Sequence, residues 1–198
     1  MKSLDSRGLA ENTLVVVCSD NGPVLDDGYK DQAVELLGSH QPSGVYRGGK
    51  YSVFEGGTRT PFITYWKGRI QPGVSDQVVC TIDFAASFAA LAGQAIPDAN
   101  ACRDSLNVLD ALLGKPGAKG RDHLVQQDNG GQSLGFREGD WKLVRHGGRK
   151  KGDGTQLYHL AKDPGEKTDV SAGHPDVLAR MQARLDKIIA DGRTRTPE

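Results

Sequence analysis

Asp20 and Asn21 are the residues whose types and position best suit the binding of a cation. They follow a continuous apolar run at residues 14–17, and a glycine and a proline come directly after them. The mostly β-branched run predicts a strand that is buried on both faces, as in a parallel sheet. Such a strand delivers the next residues to the sheet edge where α/β folds hold ligands. A carboxylate and an amide oxygen suit Ca²⁺ or Mg²⁺. The alternative is an Asx turn that only ends the strand.

Lys50 is the residue best placed to bind an anion, because paired glycines stand on either side of it, at 48–49 and at 56–57. Glycines allow the backbone to approach a ligand closely, and the lysine offers a compact positive charge. The alternative is a solvated lysine between two flexible turns. His40, in the long loop at residues 24–49, is a second candidate for lining a substrate pocket, with a surface histidine as its alternative.

Residues 44–50 also match the first seven positions of the P-loop pattern G-x-x-x-x-G-K. The pattern then requires Ser or Thr as a ligand of Mg²⁺, and the sequence has Tyr51. No apolar strand leads into Gly44, and Glu55-Gly56-Gly57 interrupts the helix that a P-loop needs. A degenerate nucleotide-binding site is therefore only a distant alternative.

Composition excludes several classes of protein. Lys and Arg number 25, as do Asp and Glu, so no net charge favours nucleic acid or an acidic membrane as a partner. The three cysteines are far apart and form no C-x-x-C pair, which favours buried thiols over a disulfide framework or a zinc site. No apolar run is long enough to cross a bilayer, and the first residues do not have the pattern of a signal peptide.

The sequence pattern changes at about residue 120. Before that point, apolar and aromatic residues predict a strand at 62–66 and a helix over 83–93, with Asp83 as its N-cap and Gly93 as its stop. After it, short strands at 123–127, 133–137, 141–145 and 156–160 alternate with turn residues, which predicts an antiparallel meander. Apolar residues spaced by three and four then predict a long helix from Pro175 to Asp191. We therefore predict an α/β region at 1–118 and a sheet-plus-helix subdomain at 119–198.

The motifs in combination resemble the sulfatase family. The resemblance begins with S-D-N-G after an apolar strand and continues with G-x-K-x-x-x-x-E-G-G-x-R-x-P. The matching residues are Ser19, Asp20, Asn21, Gly22, Gly48, Lys50, Glu55, Gly56, Gly57, Arg59 and Pro61. The strings GDWKL at 139–143, QLYHL at 156–160 and DPGE at 163–166 follow in the order that the family has.

The resemblance implies part of an alkaline-phosphatase-like α/β fold. Residues 1–118 would be the C-terminal part of the catalytic domain, and residues 119–198 a subdomain of antiparallel strands and a long helix. Sulfatases hydrolyse sulfate esters with a formylglycine nucleophile and a divalent cation, commonly Ca²⁺. By resemblance, Asp20 and Asn21 would be two of the cation's ligands, Lys50 would contact a sulfate oxygen, and Arg59 would form a supporting ion pair. The expected ligand is a sulfated small molecule or glycan.

The sequence departs from the family pattern at the nucleophile. Formylglycine forms from the first residue of C-x-P-x-R or S-x-P-x-R, and none of the nine prolines has Cys or Ser two residues before it. We therefore expect a chain that carries part of the metal and sulfate site, is inactive alone, and needs the N-terminal half of the same enzyme. The alternative is a non-catalytic remnant, or a module that binds sulfate or glycan weakly. Family members are often exported, but the sequence predicts no location.

Overall fold

The computed structural model describes residues 1–98, 100–147 and 154–196, which form two compact units. The first unit comprises Met1–Cys18, Phe62–His123 and Lys187–Glu198. The second comprises Ser19–Pro61 and Leu124–Asp186, and it contains all four predicted site residues. This division follows spatial contacts, whereas the division at 118/119 follows a change in sequence pattern and stays a prediction.

Most of the helices and strands along the chain are short. In the described ranges the helices are α1 (Lys2–Ser6), α2 (Glu55–Thr58), α3 (Phe84–Leu91), α4 (Leu109–Leu112) and α5 (Pro175–Asp191). The strands are β1 (Val15–Cys18), β2 (Phe62–Tyr65), β3 (His123–Gln127), β4 (Ser133–Glu138), β5 (Trp141–His146) and β6 (Thr155–His159). Short 3₁₀ turns lie at Ala10–Asn12, Thr81–Asp83 and Ser171–Gly173.

The first unit contains a two-stranded sheet in which β1 and β2 are antiparallel, with Val17 opposite Ile63. The expectation of a parallel-type strand buried on both faces is wrong for β1. Val17 is 57% exposed and Ile63 is 58% exposed. An apolar run shows that a strand can be buried, but the elements packed on it decide whether it is. In the described residues β2 is the sheet partner of β1.

The core of the first unit is held by buried polar contacts as well as apolar packing. Trp66 is buried and its indole Nε1 donates to the carbonyl of Glu11 at 2.8 Å. The buried Asp83 carboxylate pairs with Arg121 and accepts from Leu106 N at 2.9 Å. Burial raises the pKa of Asp83 above its usual value, although these partners oppose the shift. The contacts tie the start of α3 to the segments around residues 106 and 121.

The second unit is built on a four-stranded sheet in the order β3-β4-β5-β6, with β4–β5 and β5–β6 antiparallel. Its core contains side chains from both the sheet and α5. These fully buried residues are Phe136, Leu143, Leu157, Met181 and Leu185. Helix α5 has the predicted bounds, and its Asp186 pairs with Arg145 of β5 at 2.8 Å. The meander and the long helix predicted from the sequence are therefore both present.

The P-loop alternative finds no support in the geometry. Residues 19–54, all of which the structure describes, contain no strand that leads into Gly44, and the helix after Lys50 is the four-residue α2. A P-loop needs a strand before it and a helix directly after it to present its backbone N–H groups to phosphate.

Within the described ranges, no helix combines the length and apolarity that a bilayer crossing requires.

Candidate active site

Two segments of the second unit cross each other through backbone contacts. They are the Asp-Asn turn (residues 19–23) and the Lys50 loop (residues 47–54). Gly22 N donates to the carbonyl of Gly57 at 2.8 Å, and Lys50 N donates to the carbonyl of Pro23 at 2.8 Å. A Cβ on Gly22 would overlap the carbonyl oxygen of Gly56. The turn can therefore rest on α2 only with a glycine at position 22.

The glycines of α2 permit a second close approach, between the helix and the loop that precedes it. Gly56 N donates to the carbonyl of Arg47 at 2.8 Å. A Cβ on Gly56 would press against the carbonyl oxygens of Arg47 and Gly48, and one on Gly57 would overlap that of Ser52. The E-G-G string thus lets three stretches of backbone pack together. This packing brings Asp20, Asn21 and Lys50 into one region of the second unit.

The Asp-Asn turn leaves two side-chain oxygens available. Asn21 N donates to Asp20 Oδ1 at 3.0 Å, a contact to the next residue and not to the second residue on as in an Asx turn, and Asn21 Nδ2 donates to the carbonyl of Gly22 at 2.8 Å. Among the described residues, Asp20 Oδ2 and Asn21 Oδ1 have no hydrogen-bond partner. The turn is therefore compatible with cation binding, because the internal hydrogen bonds leave one carboxylate oxygen and one amide oxygen unused.

Lys50 and His40 line the same cavity, of about 460 Å³, together with Tyr51. Lys50 is half-buried, and its Nζ forms no ion pair with the residues that the structure describes. Asn21 and Arg59 line a second cavity of about 770 Å³. The two cavities share Pro23, Val24 and residues 41–44 as lining residues. The predicted anion-binding and cation-binding residues thus face neighbouring spaces, although Asp20 lines neither cavity.

A buried ionic cluster fixes α2 to the sheet. Glu55, the first residue of α2, accepts from Lys142 Nζ of β5 at 2.9 Å, and Lys142 Nζ lies 3.1 Å from Glu166 Oε1. Glu166 Oε2 also accepts from the backbone N of Glu55 at 2.7 Å. All three side chains are almost completely buried. We call them the Glu55–Lys142–Glu166 cluster. It joins the helix beneath the Asp-Asn turn to the C-terminal sheet.

The two carboxylates of this cluster have opposite pKa shifts. Burial raises the pKa of Glu55, but Lys142, Arg137 and Arg59 outweigh burial and hold it below its usual value. Arg59 lies 3.4 Å from Glu55 Oε2, which is the supporting ion pair expected from the resemblance. Burial raises the pKa of Glu166, and the neighbouring charge of Glu55 adds to the rise. Glu55 is thus the more acidic of the two carboxylates that face Lys142.

Sequence reasoning missed the roles of Lys142 and Glu166, although both lie in strings that support the resemblance. One available signal is Lys142 itself, a charged residue within the strand sequence WKLVR, where a fully buried lysine requires a carboxylate partner. A second is Glu166, whose φ of +50° is in the left-handed region that glycine favours. The DPGE string predicts a turn, but it does not predict that the Glu side chain is buried.

Tyr51 also has a left-handed backbone, with φ +79°. This conformation costs a side-chain-bearing residue about 1–3 kcal/mol, and the surrounding structure must hold it. Hydrogen bonds do so on both sides, because Lys50 N donates to Pro23 O and Asn129 N donates to Tyr51 O at 3.1 Å. In the described part of the chain, no three His, Cys, Asp or Glu side chains cluster as a metal site would require. The hydrogen bonds on either side of Tyr51 fix the backbone at Lys50–Tyr51.

Comparison with known proteins gives two matching family models. The model described as Sulfatase matches residues 1–94. The model described as N-sulphoglucosamine sulphohydrolase, C-terminal, matches residues 48–191. The second match alone covers more than half of the chain.

Individual proteins give the same result. An N-acetylgalactosamine-6-O-sulfatase of Bacteroides thetaiotaomicron is 41% identical over 95% of this chain and 38% of its own length. A structure from work on glycosaminoglycan metabolism by that organism superposes with a TM-score of 0.86 at 39% identity, over 95% of this chain and 41% of the other. The structure of Ps i-CgsB in complex with k-i-k-neocarrahexaose superposes with a TM-score of 0.71 at 26% identity, over 94% of this chain and 38% of the other.

These likenesses confirm the predicted fold class, an alkaline-phosphatase-like α/β fold with antiparallel sheets and a C-terminal helix. The chain spans about two fifths of the length of the proteins that it matches.

Proposed function

The chain belongs to the sulfatase family, and from this premise we propose that it supplies a sulfate-binding lysine and two cation ligands to an enzyme that hydrolyses sulfate esters. The observation that carries the proposal is the glycine-packed crossing between the Asp-Asn turn and the Lys50 loop. The crossing brings a carboxylate, an amide oxygen and an ammonium group into one region by backbone contacts. Cation binding and anion binding in one region is the combination that a sulfate ester requires.

Asp20 and Asn21 are the proposed cation ligands, through the two side-chain oxygens that the turn leaves unused. The ligand set is all oxygen, which suits Ca²⁺ better than a transition metal. When bound, such a cation polarises a sulfate oxygen and orients the ester as a Lewis acid. The internal hydrogen bonds of the turn hold both side chains in place, so less conformational entropy is lost when the cation binds.

Lys50 is the proposed contact to a sulfate oxygen. Its ammonium group lies in a cavity and has no carboxylate partner among the described residues, so its charge is available to a ligand. Negative charge shifts onto the oxygens as the S–O bond breaks, and a fixed cation stabilises that change more strongly in a partly buried site than in water. His40 lines the same cavity, and we assign it to substrate binding at its edge.

The proposed substrate is a sulfated carbohydrate. The relative with 41% identity is named an N-acetylgalactosamine-6-O-sulfatase, and Ps i-CgsB was solved in complex with k-i-k-neocarrahexaose. We therefore propose a 6-O-sulfated N-acetylgalactosamine unit as the ligand class to test first. The cavity that contains Lys50, of about 460 Å³, is large enough for a small ligand of this class.

The nucleophile must come from outside these 198 residues, since they contain no C-x-P-x-R or S-x-P-x-R motif. We propose that a segment N-terminal to this region supplies the formylglycine and the remaining cation ligands, so that the 198-residue chain alone has no turnover. The competing function is a non-catalytic module that binds sulfated glycans, and the missing motif is the observation that favours it.

A chimera tests the proposal. The N-terminal three fifths of the Bacteroides N-acetylgalactosamine-6-O-sulfatase would be joined to this chain in place of the matching region, and hydrolysis of 6-sulfated N-acetylgalactosamine would be measured. We expect turnover that falls about 100-fold or more in Lys50→Ala, the scale of losing one charge-stabilising group. Lys162→Ala, at an exposed lysine of the same unit, is the matched control and should retain full turnover.

The outcomes separate the two functions. A chimera that is folded and inactive, yet binds the sulfated sugar through Lys50, would support the binding module. Turnover by the 198-residue chain alone, surviving purification and lost in Lys50→Ala, would overturn the proposed need for a separate nucleophile segment.

A further inference from the structure

Tyr51 lines the cavity that contains Lys50 and His40, and its side chain is not used by the fold. The residue is 46% exposed, so its ring is not part of a core. Among the described residues its hydroxyl has no hydrogen-bond partner. Lys50 Nζ lies 5.2 Å from the ring centroid, which places the aromatic ring beside the proposed sulfate contact.

The backbone at Tyr51 would be satisfied equally well by glycine. Its φ of +79° is one that glycine adopts without strain, and Gly48 in the same loop has φ +78°. The hydrogen bond from Asn129 N to Tyr51 O and the one from Lys50 N to Pro23 O involve only backbone atoms. Neither the backbone geometry nor packing therefore accounts for a tyrosine at this position. A strained residue with an exposed ring in a cavity is typical of a binding function.

We infer that Tyr51 is a specificity-determining residue whose ring binds the sugar of the sulfated saccharide while Lys50 binds its sulfate. The inference rests on the proposed function. The axial C–H groups of a pyranose ring form an apolar face that packs on an aromatic ring, and the free hydroxyl is available to a sugar hydroxyl group. The clamped backbone holds the ring in place before the ligand arrives, so less side-chain entropy is lost on binding.

The inference divides ligand recognition between two adjacent side chains. Lys50 contacts only the anion, so inorganic sulfate and a sulfated sugar both depend on it. Tyr51 contacts only the sugar, so inorganic sulfate binds without it. An aromatic ring that merely shielded the ammonium group would affect both ligands equally.

The experiment compares two probes on four forms of the 198-residue chain. Inorganic sulfate and 6-sulfated N-acetylgalactosamine are titrated by NMR at constant ionic strength into the unsubstituted chain, Tyr51→Gly, Tyr51→Phe and Lys50→Ala. We expect Tyr51→Gly to weaken saccharide binding about tenfold and to leave sulfate binding unchanged, the scale of one aromatic contact. Tyr51→Phe should keep most of the saccharide affinity, whereas Lys50→Ala should weaken both ligands.

Thermal unfolding separates this effect from misfolding. Tyr51→Gly relieves a left-handed backbone, so it should unfold at the same temperature as the unsubstituted chain or higher. Gln32→Gly is the matched control for strain relief, because Gln32 has φ +60°, lies in the long loop at residues 24–49 and lines neither cavity. Tyr29→Ala is the control for loss of an exposed ring elsewhere in that loop. Both controls should bind both probes normally.

Equal saccharide affinity in the unsubstituted chain and Tyr51→Gly would overturn the inference. An equal loss of affinity for both probes in Tyr51→Gly would also overturn it. So would the absence of saccharide binding by the unsubstituted chain. None of these results bears on the turnover of the chimera, which tests the proposed function separately. A chimera without turnover, combined with selective loss of the saccharide in Tyr51→Gly, would leave the inference standing and the hydrolase proposal refuted.

Discussion

Lys142 Nζ lies 2.9 Å from Glu55 Oε1, and both side chains are almost completely buried. The two residues are 87 positions apart in the sequence. Their ion pair joins strand β5 to the first residue of α2, whose glycines carry the Asp-Asn turn. The candidate site thus depends on the C-terminal sheet for its support, which makes the Glu55–Lys142–Glu166 cluster the first feature to test.

Removing the lysine should destabilise the chain strongly. Lys142→Ala leaves two carboxylates buried without their cation, which typically costs about 3–5 kcal/mol. Lys142→Met keeps the volume of the side chain but not its charge. It should lower the free energy of unfolding by a similar amount, because the carboxylates are again left without a cation. The free energy of unfolding in urea is the measurement, and Lys162→Ala, at an exposed lysine, should change it by less than about 0.5 kcal/mol. Equal stability of Lys142→Ala and Lys162→Ala would mean that the cluster adds nothing to folding.

Glu55→Gln and Glu166→Gln should change the pH dependence of stability in opposite directions. The pKa of Glu55 is lowered on folding. Its contribution to stability is therefore full above its unfolded pKa and is lost as the pH falls through its folded pKa. The pKa of Glu166 is raised on folding. Its contribution to stability is therefore full below its unfolded pKa and is lost as the pH rises through its folded pKa.

The measurement for this pair is the free energy of unfolding between about pH 3 and pH 7. The stability of the unsubstituted chain relative to Glu55→Gln should increase as the pH rises towards the unfolded value of 4.5, and should level off above it. The stability relative to Glu166→Gln should decrease as the pH rises above 4.5. The same slope for both variants would contradict the opposite pKa shifts of Glu55 and Glu166.

Gly22→Ala should separate the Asp-Asn turn from α2. The added Cβ would overlap the backbone of Gly56, and neither segment can yield without losing the hydrogen bond from Gly22 N to Gly57 O. We expect a loss of about 1–3 kcal/mol in the free energy of unfolding. Gly173→Ala, in the same unit, meets no atom within contact distance and should be neutral or slightly stabilising. A neutral Gly22→Ala would show that the crossing adapts and does not fix the site.

How much of this structure the sequence predicts depends on the distance along the chain between interacting residues. Helix α5 is predicted with its bounds, because Pro175 suits a first helical position and Gly192 ends the helix with φ +62°. The strands of the meander are predicted within one or two residues for the same local reason. By contrast, Glu55, Lys142 and Glu166 come from three distant segments, and no local pattern indicates which buried charges will pair.

The site itself is predictable only as a set of residue types. The sequence identifies Asp20, Asn21 and Lys50, and their assignments stay predictions. What it does not give is the reason these residues lie in one region, which is the overlap that a Cβ at Gly22, Gly56 or Gly57 would create. Glycine spacing indicates close backbone approach in general, but the partner of each glycine follows only from the fold.

The β1–β2 sheet should bind an apolar dye. Val17 and Ile63 lie opposite each other, and each is more than half exposed, so they form a continuous apolar surface. We expect fluorescence enhancement of anilinonaphthalene sulfonate that falls in the double variant Val17→Thr with Ile63→Thr. Val74→Thr is the control, because Val74 is fully exposed outside the sheet. Unchanged dye fluorescence in the double variant would assign the binding to another surface.

Calcium binding by the 198-residue chain should be weak. Asp20 and Asn21 supply two oxygens, whereas Ca²⁺ takes six to eight, so water must fill the other positions and the ion keeps most of its hydration. One formal charge adds little attraction in an exposed turn. We expect a dissociation constant of roughly millimolar size, typical of charge-poor sites. Joining the N-terminal segment in the chimera should tighten binding by orders of magnitude, since added carboxylates contribute charge and geometry.

Substitution of Asp20 and substitution of Asn21 should affect Ca²⁺ binding differently, because they change the charge of the turn in opposite directions. Asp20→Asn removes the only formal charge of the turn, whereas Asn21→Asp adds one, so in the chimera the first change should weaken Ca²⁺ binding more than the second. Asp26→Asn, at an exposed carboxylate whose Oδ1 accepts from the backbone N of Gly28 in its own turn, is the matched control and should leave the affinity unchanged. Calorimetry on the 198-residue chain, the chimera and the three variants makes the comparison. Tight binding by the 198-residue chain that is indifferent to Asp20→Asn would mean that residues 19–23 are an Asx turn and that the cation binds elsewhere.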